Sequence, residues 1–341
     1  GGDEFTILVE GTYDLYEVTR IAERIQQKFS RPFSLNGNEV YSSASIGILN
    51  ASGQHLTAED MMRDADTAMY QAKRAGKARH EVFNERMHNA AKEMLRLETD
   101  LRKAVERDEL TIFYQPIFDL DANRIVGFES LARWNHSEMG MVSPSKFIPI
   151  AEEIGVIDTL CEQILRRACR DIGSLRDLLP VDEAPTLSVN LASKQFAQTS
   201  LVRNIERILE ETQYPPHLLN FEITESVFVE HHARAIEMLK QFRASGIGIH
   251  IDDFGTGYSN LSFLMQLPIS TLKVDRSFVG MIKEDGNNDS VVRAIVTLAQ
   301  TLGLRVIAEG IETDSQLNKI RELGCDRGQG YLFARPMNFA D

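Results

Sequence analysis

From Glu109 onward the chain repeats one device, a short apolar strand followed by a helical stretch. The strands read "TIFYQPIFDL", "RIVGFESLARW", "TLSVNLA", "LNFEITES", "GIGIHIDDFG", "TLKVDRSF", "LRVIAEGIE" and "GQGYLFA". Strand–helix alternation builds a mainly parallel sheet covered by helices, the α/β class. Eight such strands fit a closed (β/α)8 barrel of the TIM type. An open doubly wound sheet is the alternative that the pattern leaves standing.

Successive side chains on a strand point to opposite faces, and sorting the strands by parity gives the same answer each time. Leu187 and Val189 oppose Ser188 and Asn190. Phe221 and Ile223 oppose Asn220, Glu222 and Thr224. Ile249 and Ile251 oppose His250 and Asp252, and Leu272 and Val274 oppose Thr271, Lys273 and Asp275. Val306 and Ala308 oppose Ile307 and Glu309, and Glu129 shares a face with Gly127, Leu131 and Arg133. The aliphatic face meets the helices and the polar face looks into the barrel lumen. The acids come late in each strand, just before turn residues, which places them at the C-terminal mouth where barrel active sites lie.

A single acid at a strand end is usually a solvated turn residue or a helix cap. A lone Lys273 is usually a surface or ion-pairing lysine, and His250 reads most simply as a hydrogen-bonded lumen histidine. Six strands with polar groups on one parity at one end do not reduce to such cases. Glu129, Glu222, Asp252 and Glu309 buried together need cations, since like charges that close force protonation or disorder. An oxygen-rich set with one amide suits Mg²⁺ or Mn²⁺. The adjacent Asp252 and Asp253 allow one carboxylate to bridge two ions while its neighbour binds the second, an arrangement used for in-line phosphoester hydrolysis.

Composition narrows the partners. The 341 residues carry a net charge of -13, which argues against wrapping a long nucleic acid. No stretch approaches the roughly 18 apolar residues of a membrane helix, and no leader pattern opens the chain. The expected location is cytoplasmic, with any membrane anchor of a longer parent protein lying upstream. Cys161, Cys169 and Cys325 lack disulfide or metal spacing and read as core thiols.

Residues 1–84 have a different rhythm: a strand at "FTILVE", a helix through "LYEVTRIAERIQQKF", strands within "FSLNGNEVYSSASIGIL", and a helix in "AEDMMRDADTAMYQAKRAGK". Residues 85–108, charged and free of Gly and Pro, read as a connecting helix leading into residues 109–341.

The segments "ESLARW", "SVNLASKQF", "FEITES", "IDDFGTGYSNLSFL", "LKVDRSFV", "VIAEGIET" and "QGYLFARP", in that order, resemble the signatures of the EAL-domain phosphodiesterases across about residues 109–337. The resemblance implies a modified (β/α)8 barrel with one antiparallel strand. It also implies hydrolysis of the bacterial second messenger cyclic di-GMP to linear pGpG by a water activated between two Mg²⁺ or Mn²⁺ ions. By the same resemblance Glu129, Asn190, Glu222 and Asp252 would hold one ion, and Asp252, Asp253 and Glu309 the other. Lys273 would orient the water and screen phosphate charge, with Gln329 and Asp275 in support. Leu131, Arg133 and Glu312 would contact the nucleotide, Arg133 at a phosphate oxygen and Glu312 at a guanine edge. Glu225 would steady the loop "DFGTGYSN". Ser130, where the family's signature has alanine, falls on the outward parity and should leave the metal site intact. A homodimer is the expected assembly, and a cyclic di-GMP receptor without catalysis is the alternative function.

"GGDEF", "SASIGI" and "DADTAMYQAKRAGK" resemble the second half of a GGDEF domain, the family that makes cyclic di-GMP from GTP. That half has an α+β pattern, and the first half is expected upstream of Gly1. Asp3, Glu4, Lys73 and Lys77 match positions that meet guanine, metal or phosphate in an intact domain, although the two lysines serve equally well as helix-end charges.

Overall fold

The computed structural model describes residues 2–340 except 12–13, 36, 51–56, 177, 181–182, 257–263 and 283–287, and only the backbone of 176, 226 and 229–233. Gly1 of "GGDEF" and residues Gly257–Asn260 of the loop after Asp253 therefore lie outside the described residues. The chain forms two compact units, which divide between Thr99 and Asp100.

In the first unit, helix α1 (Leu15–Phe29) starts where the Asp14 carboxylate accepts the Tyr16 backbone N–H at 2.9 Å. Strands β1 (Phe33–Leu35) and β2 (Asn38–Val40) form an antiparallel pair. Helix α2 (Ala58–Arg74), capped by the Thr57 hydroxyl on the Asp60 N–H, crosses between the parallel strands β3 (Ile46–Ile48) and β4 (His80–Val82). Ala68 and Ala72 of α2 are fully buried. The stretch expected as a strand at "FTILVE" joins neither pair, and Phe5, Ile7 and Leu8 are 88%, 64% and 78% exposed. All strand hydrogen bonds go to a neighbour, so alternation of apolar residues makes a strand only where a sheet edge accepts it. Helix α3 (Glu85–Glu106) occupies the expected connecting segment and spans the division between the units.

In the second unit eight strands close into a ring: β5 (Thr111–Asp119), β6 (Arg124–His136), β8 (Thr186–Asn190), β9 (Leu219–Thr224), β10 (Gly248–Phe254), β11 (Thr271–Val274), β12 (Arg305–Ala308) and β13 (Arg327–Gly328). Strand β7 (Gly140–Val142) folds back on the end of β6. β5 runs antiparallel to both its neighbours, and the other ring contacts are parallel. The barrel is thus closed, and the open-sheet alternative is set aside.

The parity reading holds around the ring. Leu187, Phe221, Ile223, Ile249, Leu272, Val274 and Val306 belong to the apolar core and are completely buried. The opposite parity buries Ser188, Asn220, Glu222, His250, Thr271 and Lys273. Ser130 lies apart from that polar set, its hydroxyl donating to the Ser188 carbonyl at 3.0 Å.

The last strand is shorter than "GQGYLFA" suggests. After Gly328 the backbone bonds to a loop: Ile311 N–H donates to the Gln329 carbonyl at 3.1 Å, and Leu332 N–H to the Ile311 carbonyl at 3.0 Å. A Cβ at Gly330 would run into the Ile311 backbone. Gly330→Ala is therefore expected to cost about 1–3 kcal/mol through forced displacement of packed backbone. Thermal denaturation of the variant checks this, and an unchanged melting temperature would show that the turn adapts freely.

Candidate active site

Lys273 stands at the centre of the lumen, fully buried. Its ammonium lies 2.6 Å from Glu222 Oε2, 2.7 Å from Glu309 Oε1, 3.1 Å from Asp252 Oδ1 and 3.5 Å from Glu129 Oε2. Gln329 Nε2 donates to Glu129 Oε2 at 2.7 Å and to Glu309 Oε1 at 3.0 Å. Asn190 Nδ2 donates to the other Glu129 oxygen at 3.0 Å. Seven residues contributed by seven strands and the turns that follow them thus converge, as the parity sorting implied. Glu129 comes from the middle of the long β6, and the other three acids come from late strand positions.

Asp253 joins this ring by a backbone device. In regular pleating Asp252 and Asp253 would point to opposite faces. Pairing of β10 with β11 shifts register between Ile251 and Phe254, and Asp253 takes φ 52°, a left-handed conformation that aspartate tolerates. As a result one oxygen each of Asp252, Asp253 and Glu309 lie within 4.8 Å of one another. The Asp253 N–H also donates to Asp252 Oδ1 at 3.1 Å.

The electrostatics follow from burial. Burial, then the Glu222 charge, pushes the Glu129 carboxyl up; burial likewise raises Glu222, and raises Glu309 well above the usual carboxylate range, with Lys273 opposing in each case. For Lys273, burial alone would lower the pKa, but Asp252, Glu129, Glu222 and Glu309 reverse this and hold it well above the ordinary lysine value. Burial and the adjacent Asp252 and Asp275 push Asp253 up to about 6. Asp275 itself is lowered: burial opposes ionisation, but the Ser277 hydroxyl and N–H outweigh it, as Asp275 caps the turn Arg276–Gly280.

The remaining site residues of the sequence reading lie around this ring. Glu225 Oε1 accepts the Gly255 N–H at 3.0 Å, tying the end of β9 to the loop after β10. Arg133, half-buried, is lowered by burial and sustained by the Glu129 charge, with its guanidinium 5.4 Å above the Phe113 ring. Leu131 is half-buried beside it. Glu312 is exposed, its N–H held by Gln316 Oε1 at 2.8 Å at the start of helix Asp314–Glu322, and it has no hydrogen bond or ion pair to the ring among the described residues. His250 departs from expectation: it is buried, yet neither ring nitrogen has a hydrogen-bond partner among the described residues. The sequence reading places Lys273 on the lumen face and in the site; its contact with four carboxylates at once is what the structure adds.

All donors in the ring are oxygens or amides, the chemistry of a hard divalent cation. The buried lysine already neutralises part of the charge. Three carboxylate oxygens in one small volume, two of them on adjacent residues, suit a second and stronger cation.

The EAL domain family model matches residues 98–336, and the diguanylate cyclase, GGDEF domain model matches residues 1–79. The bifunctional diguanylate cyclase/cyclic di-GMP phosphodiesterase MucR of Pseudomonas aeruginosa is 39% identical over 337 residues, covering 99% of this chain and 49% of that protein. The cyclic di-GMP phosphodiesterase PdeR of Escherichia coli is 36% identical over 337 residues, covering 99% of this chain and 50% of that protein. The chain thus spans about half the length of these curated relatives. The solved PaMucR phosphodiesterase, in complex with c-di-GMP, matches with a TM-score of 0.67 at 39% identity, covering 71% of this chain and 98% of that one. Among the described residues no helix is long and apolar enough to cross a membrane.

Proposed function

Because the chain belongs to the EAL-domain family, with a GGDEF-domain match ahead of the barrel, we propose that it hydrolyses cyclic di-GMP to linear pGpG with two Mg²⁺ or Mn²⁺ ions. The observation that carries this reading is the convergence of Glu129, Glu222, Asp252 and Glu309 on one buried ammonium at 2.6–3.5 Å. In this reading residues 109–341 are the hydrolytic domain, residues 85–108 connect, and residues 1–84 are the neighbouring domain. A homodimer in the cytoplasm belongs to the same proposal.

Glu129, Asn190, Glu222 and Asp252 would hold one ion, and Asp252, Asp253 and Glu309 the second. When bound, such a pair supplies an acidified water and neutralises charge on the scissile phosphate. The chain's own groups do the rest. Gln329 fixes Glu129 and Glu309 by two hydrogen bonds, so both carboxylates present set oxygens. Lys273 keeps a fixed positive charge where negative charge grows on phosphate, a stabilisation that needs no rearrangement during the reaction. Arg133, four residues after Glu129 on the same lumen parity, would bind a phosphate oxygen. Leu131 and Glu312 would border the nucleotide. Glu225 holds the backbone at Gly255, where the loop beside the metal-binding aspartates begins.

The test is incubation of the full chain with cyclic di-GMP and Mg²⁺, followed by chromatography. Appearance of pGpG supports the proposal. Nucleotide that is bound but recovered intact would replace it with a receptor function.

A pH dependence follows. Asp253, Glu129, Glu222 and Glu309 have folded-state pKa values above their ordinary ones, so the metal-free folded state binds more protons than the unfolded state. These groups therefore destabilise the metal-free protein as pH rises from the ordinary carboxylate range to about 6 and beyond. A divalent cation binds the ionised forms and reverses the effect. The Mn²⁺-induced rise in melting temperature is expected to be small near about pH 5 and large near about pH 7. A rise independent of pH would contradict cation binding at these carboxylates.

A further inference from the structure

His250 lies beside the Glu222 carboxylate and has no part in the reaction described above. In the sheet register its partners are Glu222 on β9 and Thr271 on β11. It is 1% exposed, and both ring nitrogens are without a hydrogen bond among the described residues. Each buried polar atom left unpaired costs on the order of 1–3 kcal/mol, so an imbalance on both nitrogens calls for a reason. For Nδ1 the Glu222 carboxylate supplies it. Lys273 occupies Glu222 Oε2 at 2.6 Å, whereas Oε1 has no hydrogen-bond partner among the described residues and faces His250 Nδ1 at 3.7 Å. The two unpaired atoms thus face each other across a gap that a shift of about 0.5 Å turns into a hydrogen bond.

The ring can meet Glu222 in only one useful way. Nδ1 is the ring atom that faces Glu222 Oε1, at 3.7 Å, and Nε2 has no hydrogen-bond partner among the described residues. A neutral imidazole has one N–H and one lone pair. A lone pair on Nδ1 would repel the carboxylate oxygen, whereas an N–H on Nδ1 attracts it. Ser188, also buried, is a further polar group close to Glu222. Its hydroxyl rotates freely and so does not impose a direction, as a planar ring does.

We propose that His250 is a positioning residue whose Nδ1–H donates to Glu222 Oε1 and reserves Oε2 for the cation side of the ring. The positioning role rests on the reading of the ring as a divalent-cation site, while the Nδ1–H contact to Glu222 does not. When a divalent ion competes with Lys273 for Glu222, the His250 bond keeps the carboxylate plane from turning. Partners that orient a metal-binding carboxylate in this way are worth about 10–100-fold in metal affinity.

The experiment uses the full chain labelled with ¹⁵N-histidine, together with calorimetric titration of Mg²⁺ into wild type, His250→Leu and His250→Asn. The expected spectrum shows Nδ1 protonated, with and without Mg²⁺. His250→Leu is expected to weaken Mg²⁺ about 10–100-fold, and His250→Asn, which keeps an N–H near the Nδ1 position, to recover most of that loss. An unprotonated Nδ1, wild-type affinity in His250→Leu, or no recovery in His250→Asn would each overturn the proposal. Should His250→Leu fail to fold, the wild-type spectrum decides on its own. A wild-type protein with the expected Nδ1 protonation and Mg²⁺ titration but no hydrolysis would sink the phosphodiesterase reading and leave His250 in place.

Discussion

Asp252→Asn is expected to reduce hydrolysis of cyclic di-GMP by on the order of 10³-fold or more while leaving the fold intact. The substitution preserves shape and removes one negative charge. In the wild type that charge lies 3.1 Å from the Lys273 ammonium and within 4.8 Å of oxygens on both Asp253 and Glu309. It is the carboxylate shared by the two proposed ion positions, so its loss weakens both. Removing one acid from a crowded acidic ring relieves repulsion in the metal-free state. The melting temperature in chelator should therefore stay level or rise even as activity collapses. Product chromatography and a thermal melt on the same preparation check both halves. Activity within tenfold of wild type would remove Asp252 from the metal site. Lost activity accompanied by a large fall in stability would point to a merely structural role.

Lys273→Met should act in the opposite sense on stability. The side chain is completely buried and contacts four carboxylates, so the ring loses its central positive charge. Methionine fills similar volume, and packing is nearly conserved. Breaking a buried ion pair by deleting one partner costs about 3–5 kcal/mol, because the other charge stays buried without compensation. For a unit of this size that is roughly 6–20 °C in melting temperature, measured in chelator. Added Mn²⁺ should return part of the loss by supplying the missing positive charge. A variant as stable as wild type without metal would show that the carboxylates are largely protonated, and that Lys273 does not hold the ring together.

The barrel and most of the ring were legible because a strand sorts its side chains with a period of two. Once Leu187, Phe221, Ile249, Leu272 and Val306 were assigned to the helix-facing side, Glu222, Asp252, Lys273 and Glu309 had to share the lumen. What parity could not supply was a departure from regular pleating. The register shift in β10 that brings Asp253 beside Asp252 depends on pairing with β11. The short β13 has a similar cause, since its continuation is diverted by backbone bonds to Ile311, far away in sequence. "FTILVE" fails for the complementary reason: it alternates like a strand but has no edge to pair with among the described residues. His250 was read as a satisfied lumen histidine because residue type and parity say nothing about hydrogen-bond partners. Its 3.7 Å approach to Glu222 emerges only from the register of two strands.

The central claim is that this ring is a two-cation centre acting on a bound cyclic dinucleotide. Anomalous scattering from crystals of the full chain grown with Mn²⁺ and a slowly cleaved cyclic di-GMP analogue tests it most directly. Two manganese peaks about 3.5–4 Å apart are expected, one among Glu129, Asn190, Glu222 and Asp252 and the other among Asp252, Asp253 and Glu309. A bound nucleotide with no manganese beside Asp252 would contradict it.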